Sequence, residues 1–181
     1  MSDENWRRFE LLAMPHLDAA HNLARWLTHN DHDAQDVVQE ALVRAMRYMS
    51  GFRGENARPW LLQIVRHSCF SWLKENRPTE RRLLDDDDDD ALREVAAPAA
   101  DEPHSVAMLK ADRLQVDRAT AALPVAYREV LVLRELEGLS YKEIAAVARI
   151  PIGTVMSRLA RARERLLAIL GPSVAQTGEQ S

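Results

Sequence analysis

Three groups of side chains in this 181-residue chain have types and spacings suited to binding or reaction. His29, His32, Asp33 and Asp36 set two histidines three positions apart beside carboxylates, a donor set that divalent cations accept. The histidines straddle a turn and no second ligand cluster accompanies them, so neither a metal nor another cofactor is expected. Asp36, Gln39 and Glu40 lie within about one helical turn of each other, an arrangement suited to basic residues on a partner helix. Taken alone, the same residues read equally well as a solvated face with an internal Glu40–Arg44 pair. Thr154, Ser157, Arg158, Arg161 and Arg165 form the third group. At ~100° per residue, Thr154 and the three arginines lie about a quarter-turn from the apolar line Val155, Leu159, Ala162, Leu166 and Ile169. A basic strip beside an apolar one fits the DNA major groove, where arginine on guanine is the commonest specific pairing. No phosphate-binding glycine loop or nucleophile motif is present, so no catalytic residue is predicted.

The elements that must position these groups are helices. Ser140-Tyr141-Lys142-Glu143 is a capping box, with the Ser140 hydroxyl accepting from the Glu143 N–H while Glu143 reaches back. A helix therefore starts at Tyr141, with Ile144, Ala145 and Val147 on its apolar side. Arg149-Ile150-Pro151 supplies a turn, and a second helix runs from about Ile152 to Leu170, which together suggest helix-turn-helix. In that motif the start of the second helix reaches base edges, making Thr154, Ser157, Arg158 and Arg161 candidates for base or phosphate contacts. A charged strip alone is more often a solvated face; the cap and turn beside it favour DNA.

Upstream, Pro15 to Thr28 reads as a helix with Leu17, Leu23, Ala24 and Leu27 inward, ending at the turn-forming Asn30-Asp31. From Asp33 to about Met49, Ala34, Val37, Val38, Ala41, Leu42 and Ala45 recur at helical spacing as one buried stripe. Gly51 and Gly54 break that helix. Another begins near Asn56, whose side chain caps it, tolerates Pro59 in its first turn, and runs through Trp60, Leu61, Ile64, Val65 and Trp72 to about Glu75. Trp60 and Trp72 are assigned to packing rather than to a stacking platform. Val106 to Leu123 forms a further helix, Pro124 opens the next and Gly138 ends it. The fold class is all-α.

Charge divides the chain into parts. The net charge is −4, which looks wrong for a DNA binder until it is apportioned. Residues 81–105 set three arginines against nine carboxylates, including Asp85 to Asp90, and carry −6; the remaining 21 basic and 19 acidic residues leave +2. Such a stretch, ending in alanines and prolines, cannot bury a core and repels itself into extension. The expected organisation is a helical domain over 1–80, a flexible acidic linker over 81–105, and a helix-turn-helix domain with a frayed tail over 106–181. The single cysteine, Cys69, excludes an internal disulfide and points to a reducing compartment. No run approaches the ~18 apolar residues of a membrane span, so a cytoplasmic protein is expected.

Several of these segments together resemble the extracytoplasmic-function (ECF) group of bacterial RNA polymerase sigma factors. The resemblance rests on Leu123-Pro124, the run Arg134 to Ala145, and Gly153 to Leu159 with Arg161-Ala162-Arg163. In the first domain it rests on Asp33 to Glu40, Phe52-Arg53-Gly54-Glu55 and Trp60-Leu61, in the same order. It implies an alternative sigma factor without catalysis of its own, partnered by core RNA polymerase, promoter DNA and an anti-sigma factor. Asp33, Asp36, Gln39 and Glu40 would then dock on the polymerase. Phe52, Arg53, Gly54, Glu55 and Asn56, in the loop resembling the family's base-capturing loop, would meet the −10 element. Arg66, His67 and Lys74 would face the −10 strand, and Lys142, Thr154, Ser157, Arg158, Arg161 and Arg165 the −35 element. The chain departs from the family pattern at His67, usually Asn, at Ser71, usually Asp, and at Arg149, where relatives place Gly, Asp or Asn. In the family the connector threads a basic polymerase channel, a place for Asp85 to Asp90; a merely solubilising tract is an equal reading.

Overall fold

Residues 3–78 and 108–171 are described by the structure, a computed structural model, and every regular element among them is helical. The linker expected over 81–105, both domain boundaries beside it and the frayed tail lie outside the described residues. Among the described residues no helix is long and apolar enough to cross a membrane.

The N-terminal unit has four helices, α1 (Asp3–Ala13), α2 (Leu17–Thr28), α3 (Asp31–Tyr48) and α4 (Ala57–Asn76). Helix α1 lies in a stretch without a periodic apolar pattern. Asp3 and Glu4 favour its positive N-terminal end, and it buries little more than Phe9 and Ala13, too short a stripe to read in advance. The helix expected from Pro15 starts at Leu17, because Met14–His16 form a 3-10 turn that accommodates the proline. It stops where His29 turns left-handed at φ 58°. Asn30 then caps α3, its side chain accepting from the N–H groups of His32 and Asp33 at 2.8 and 3.1 Å. Helix α3 buries Ala34, Val37, Val38, Ala41 and Ala45 of the stripe foreseen from spacing, and Leu42, also foreseen there, is half-buried. Asn56 caps α4 through the Arg58 N–H, also as foreseen, and Leu61, Leu62, Val65, Cys69 and Leu73 pack inward.

The C-terminal unit comprises α5 (Met108–Ala121), α6 (Val125–Leu131) extended by one π turn (Val132–Leu136), α7 (Tyr141–Ala148) and α8 (Ile152–Leu170). Gly138, at φ 65°, makes the left-handed exit that stops the extended α6. Every side chain of α6 is buried, including Arg128 and Glu129. Arg128 is accommodated by giving Nη1 to the Ala121 and Leu123 carbonyls, both at 3.0 Å, at the otherwise unpaired end of α5.

The two units pack on each other. Helix α4 lies against α7, and α2 against α6 and its π turn. One apolar cluster runs through both, joining Leu23, Leu27, Leu61 and Val65 to Val125, Leu133, Ile144 and Val147.

Candidate nucleic-acid interface

The helix-turn-helix forms where the sequence placed it. Ser140 Oγ accepts from the Glu143 N–H at 3.2 Å, and Glu143 Oε2 accepts from the Ser140 N–H at 2.8 Å, closing the capping box. The Ser140 N–H, first among these donors, holds the Glu143 carboxyl below its usual range. Helix α7 ends at Arg149 in the left-handed region, φ 55° and ψ 46°, and Ile152 opens α8. Val155, Leu159 and Ala162 turn inward, leaving Lys142 and Ser157 exposed and Thr154, Arg158, Arg161 and Arg165 half-exposed. Ser157 Oγ donates to the Thr154 carbonyl at 3.1 Å, and the Arg165 guanidinium lies 5.2 Å from the Tyr127 ring centre. Arg163, outside the predicted strip, is held by Glu135 at 2.5 Å.

On α3, Asp36, Gln39 and Glu40 are exposed and Asp33 is half-buried. Glu40 accepts from Arg44, the internal pair that the spacing allows, and His32 Nδ1 lies 3.5 Å from Asp36. His21 sits 3.4 Å from Asp31. No group of three or more metal-binding side chains gathers among the described residues.

The loop from Ser50 into α4 is held by contacts that spacing did not reveal. Phe52 is buried with its ring centre 4.6 Å from that of Trp60, and Arg8 of α1 donates to the Phe52 carbonyl at 2.7 Å. A Cβ at Gly54 would lie 3.0 Å from the Phe52 ring, so that ring fills the space only glycine leaves. Arg53, Gly54, Glu55 and Asn56 remain exposed at the loop's rim. Trp60 and Trp72 pack against the core, as expected. Beyond the loop, His67 and Lys74 are exposed, but Arg66 is drawn to Glu129 and stacks on Phe70 at 4.1 Å.

Residues 12–79 match the family model described as Sigma-70 region 2, and residues 113–166 match Sigma-70, region 4. The RNA polymerase sigma-H factor of Pseudomonas aeruginosa is 35% identical over 169 residues, which cover 92% of this chain and 88% of that protein. The ECF RNA polymerase sigma-E factor of Escherichia coli K12 is 36% identical over 142 residues, 74% of this chain and 72% of that one. The chain belongs to the ECF group of RNA polymerase sigma factors. Among solved structures, the sigma factor RpoE in complex with the anti-sigma factor NepR from Bartonella quintana superposes with a TM-score of 0.64 at 28% identity, covering 92% of this chain and 97% of that one. CnrH in complex with the cytosolic domain of CnrY gives 0.62 at 27% identity, covering 91% and 88%.

The structure of this sigma factor also brings forward residues that sequence reading passed over. Arg58 donates to Glu137 at 2.8 Å, Asn22 to the other oxygen of Glu137 at 2.5 Å, and Asn56 to Glu143 at 2.9 Å. Nothing in the spacing of Asn22, Arg58, Glu129 or Glu137 marks them, because each finds its partner across the two units. Glu129 was the nearest to legible: a carboxylate amid the apolar run Val125 to Leu133 must be paired if that run is buried. Arg8 lies outside the residues matched by the region 2 model.

Proposed function

We propose that this sigma factor binds core RNA polymerase through the exposed face of α3 and directs initiation by reading two promoter elements, one with each unit. Asp36, Gln39 and Glu40, with Asp33 at the edge, supply the carboxylates and amide that meet a basic partner helix. The 50–58 loop and the adjoining face of α4 take the −10 element. There Phe52 shapes the loop from beneath, while Arg53, Gly54, Glu55 and Asn56 form the rim that meets an extruded base. Arg66, His67 and Lys74, joined by Arg58, lie along the strand. Lys142, Thr154, Ser157, Arg158, Arg161 and Arg165 take the −35 element in the major groove.

One observation carries this reading. The capped helix-turn-helix keeps the basic strip of α8 at the surface, in a chain whose two units match the sigma regions 2 and 4 in that order. The protein acts by binding, without catalysis of its own, where the polymerase works, in the cytoplasm. The Bartonella RpoE structure contains the anti-sigma factor NepR; we extend a protein inhibitor of that kind to this chain.

The test is run-off transcription by purified core polymerase on genomic fragments, with and without the protein. Discrete start sites that require the protein are the expected result. DNA binding with no polymerase-dependent initiation would instead describe a stand-alone regulator.

A further inference from the structure

The face of α4 assigned above to the −10 strand is already occupied within the chain. Arg66 gives Nε and Nη2 to the carboxylate of Glu129, the second contact at 3.3 Å, and Glu129 has no exposed surface. Arg58 gives Nη2 to Glu137, which is 9% exposed and also receives the Asn22 amide. Asn56, at the loop rim, gives its amide to Glu143. Three carboxylates of the C-terminal unit thus hold donors of α2 and α4, flanked by the apolar seam that Ile144 and Val147 share with α4.

A guanidinium fork accepts a carboxylate and a phosphate in the same planar, paired geometry. The guanidinium groups that would grip a nucleic-acid backbone therefore grip buried carboxylates instead, the Arg66 and Arg58 side chains themselves being 19% and 34% exposed. The other two surfaces are left out of this contact. Asp36, Gln39 and Glu40 stay exposed on α3, and α8 packs on α5, α6 and α7 of its own unit.

We propose that this contact is a latch in which Glu129 and Glu137 occupy the places of −10 strand phosphates on Arg66 and Arg58. The latched chain is masked toward the −10 strand at Arg58 and Arg66, while His67 and Lys74 stay exposed and the polymerase-docking face and −35 strip lie outside the contact. The proposal rests on the reading of α4 given under Proposed function. It orders events: the chain docks on polymerase or −35 DNA closed, and the −10 strand is engaged only as the units part. A chain latched about 90% of the time would show its −10 face to DNA with affinity lowered about tenfold.

The test uses the full chain and Glu137→Gln, alone and combined with Glu129→Gln. Small-angle X-ray scattering reads the separation of the units. Anisotropy of a fluorescein-labelled, random-sequence single-stranded 12-mer reads the α4 face. The radius of gyration should rise in the variants, and 12-mer affinity should rise about tenfold, a gain that adding Arg66→Ala abolishes. Unchanged dimensions and affinity in both variants would overturn the latch. Expansion without any gain in 12-mer binding would uphold the contact but overturn the masking, and with it the −10 assignment of Arg58 and Arg66. Because Glu129 is buried in its own unit, Arg58→Ala serves as the reciprocal variant: it must expand the chain as Glu137→Gln does, and the two together no further than either alone.

Discussion

At the scale of single residues, the C-terminal strip makes the sharpest claim. Arg158 and Arg161 sit half-exposed on the first turns of α8, one helical step apart, beside Ser157 and Thr154. Replacing either by alanine should weaken binding to the cognate −35 duplex by ~1–3 kcal/mol, the usual value of a base-specific pair. Unchanged affinity in both variants, measured by anisotropy titration, would move the DNA-binding face elsewhere on the helix. Arg149 tests backbone conformation rather than recognition. Its left-handed geometry costs an L-residue on the order of 1 kcal/mol, and its side chain is exposed. Arg149→Gly removes that strain but adds freedom to the unfolded chain, so a small net rise in thermal midpoint is expected. A fall would mean that the arginine side chain contributes more than the turn costs.

At the scale of elements, helix starts and faces decide what each segment does. The α7 capping box depends on an ionised Glu143, whose carboxyl is held below its usual range chiefly by the Ser140 N–H, then by the Ser140 hydroxyl, Asn56 and Arg58. A lowered folded value means stability that is present above the ordinary carboxylate range and lost as pH falls through the folded value. Acid titration of the wild type should therefore show a loss of helicity that Glu143→Gln, already without the charge, shows to a smaller extent. Identical acid profiles would remove Glu143 as its source. Helix α3 presents its carboxylates outward because the small residues Ala34, Ala41 and Ala45 let the opposite side pack closely. Glu40→Lys should reduce association with core polymerase in a pull-down or scattering assay while leaving −35 duplex binding by the same chain intact. Normal holoenzyme formation would take Glu40 off the docking surface.

At the scale of the whole molecule, the shared apolar cluster and the carboxylate contacts join what the sequence presents as two separate units. Burial of Ile144 and Val147 in the cluster that includes α4 residues couples the unfolding of the two units for as long as the latch is closed. All four tryptophans, Trp6, Trp26, Trp60 and Trp72, belong to the N-terminal unit, whereas circular dichroism reports helices of both. The two thermal transitions should coincide in the wild type. Separate midpoints would show that the units unfold independently despite their contact.

The sequence by itself determined the helices and their caps, since capping and helical periodicity act over a few residues. The Asn56 cap, the Ser140–Glu143 box, the α3 stripe and the Gly138 stop were all legible that way, and the helix-turn-helix follows from them. Helix α1 was not, because its buried face is little more than Phe9 and Ala13 and its order comes from packing and from the Arg8 bond to Phe52. Nor was the occupancy of Arg58 and Arg66. A charge pair separated by 63 or 79 positions leaves no mark on local spacing. Two surfaces that sequence reading treats as waiting for separate partners meet in this structure, and only the packing of α4 on α7 and of α2 on α6 brings those carboxylates within reach.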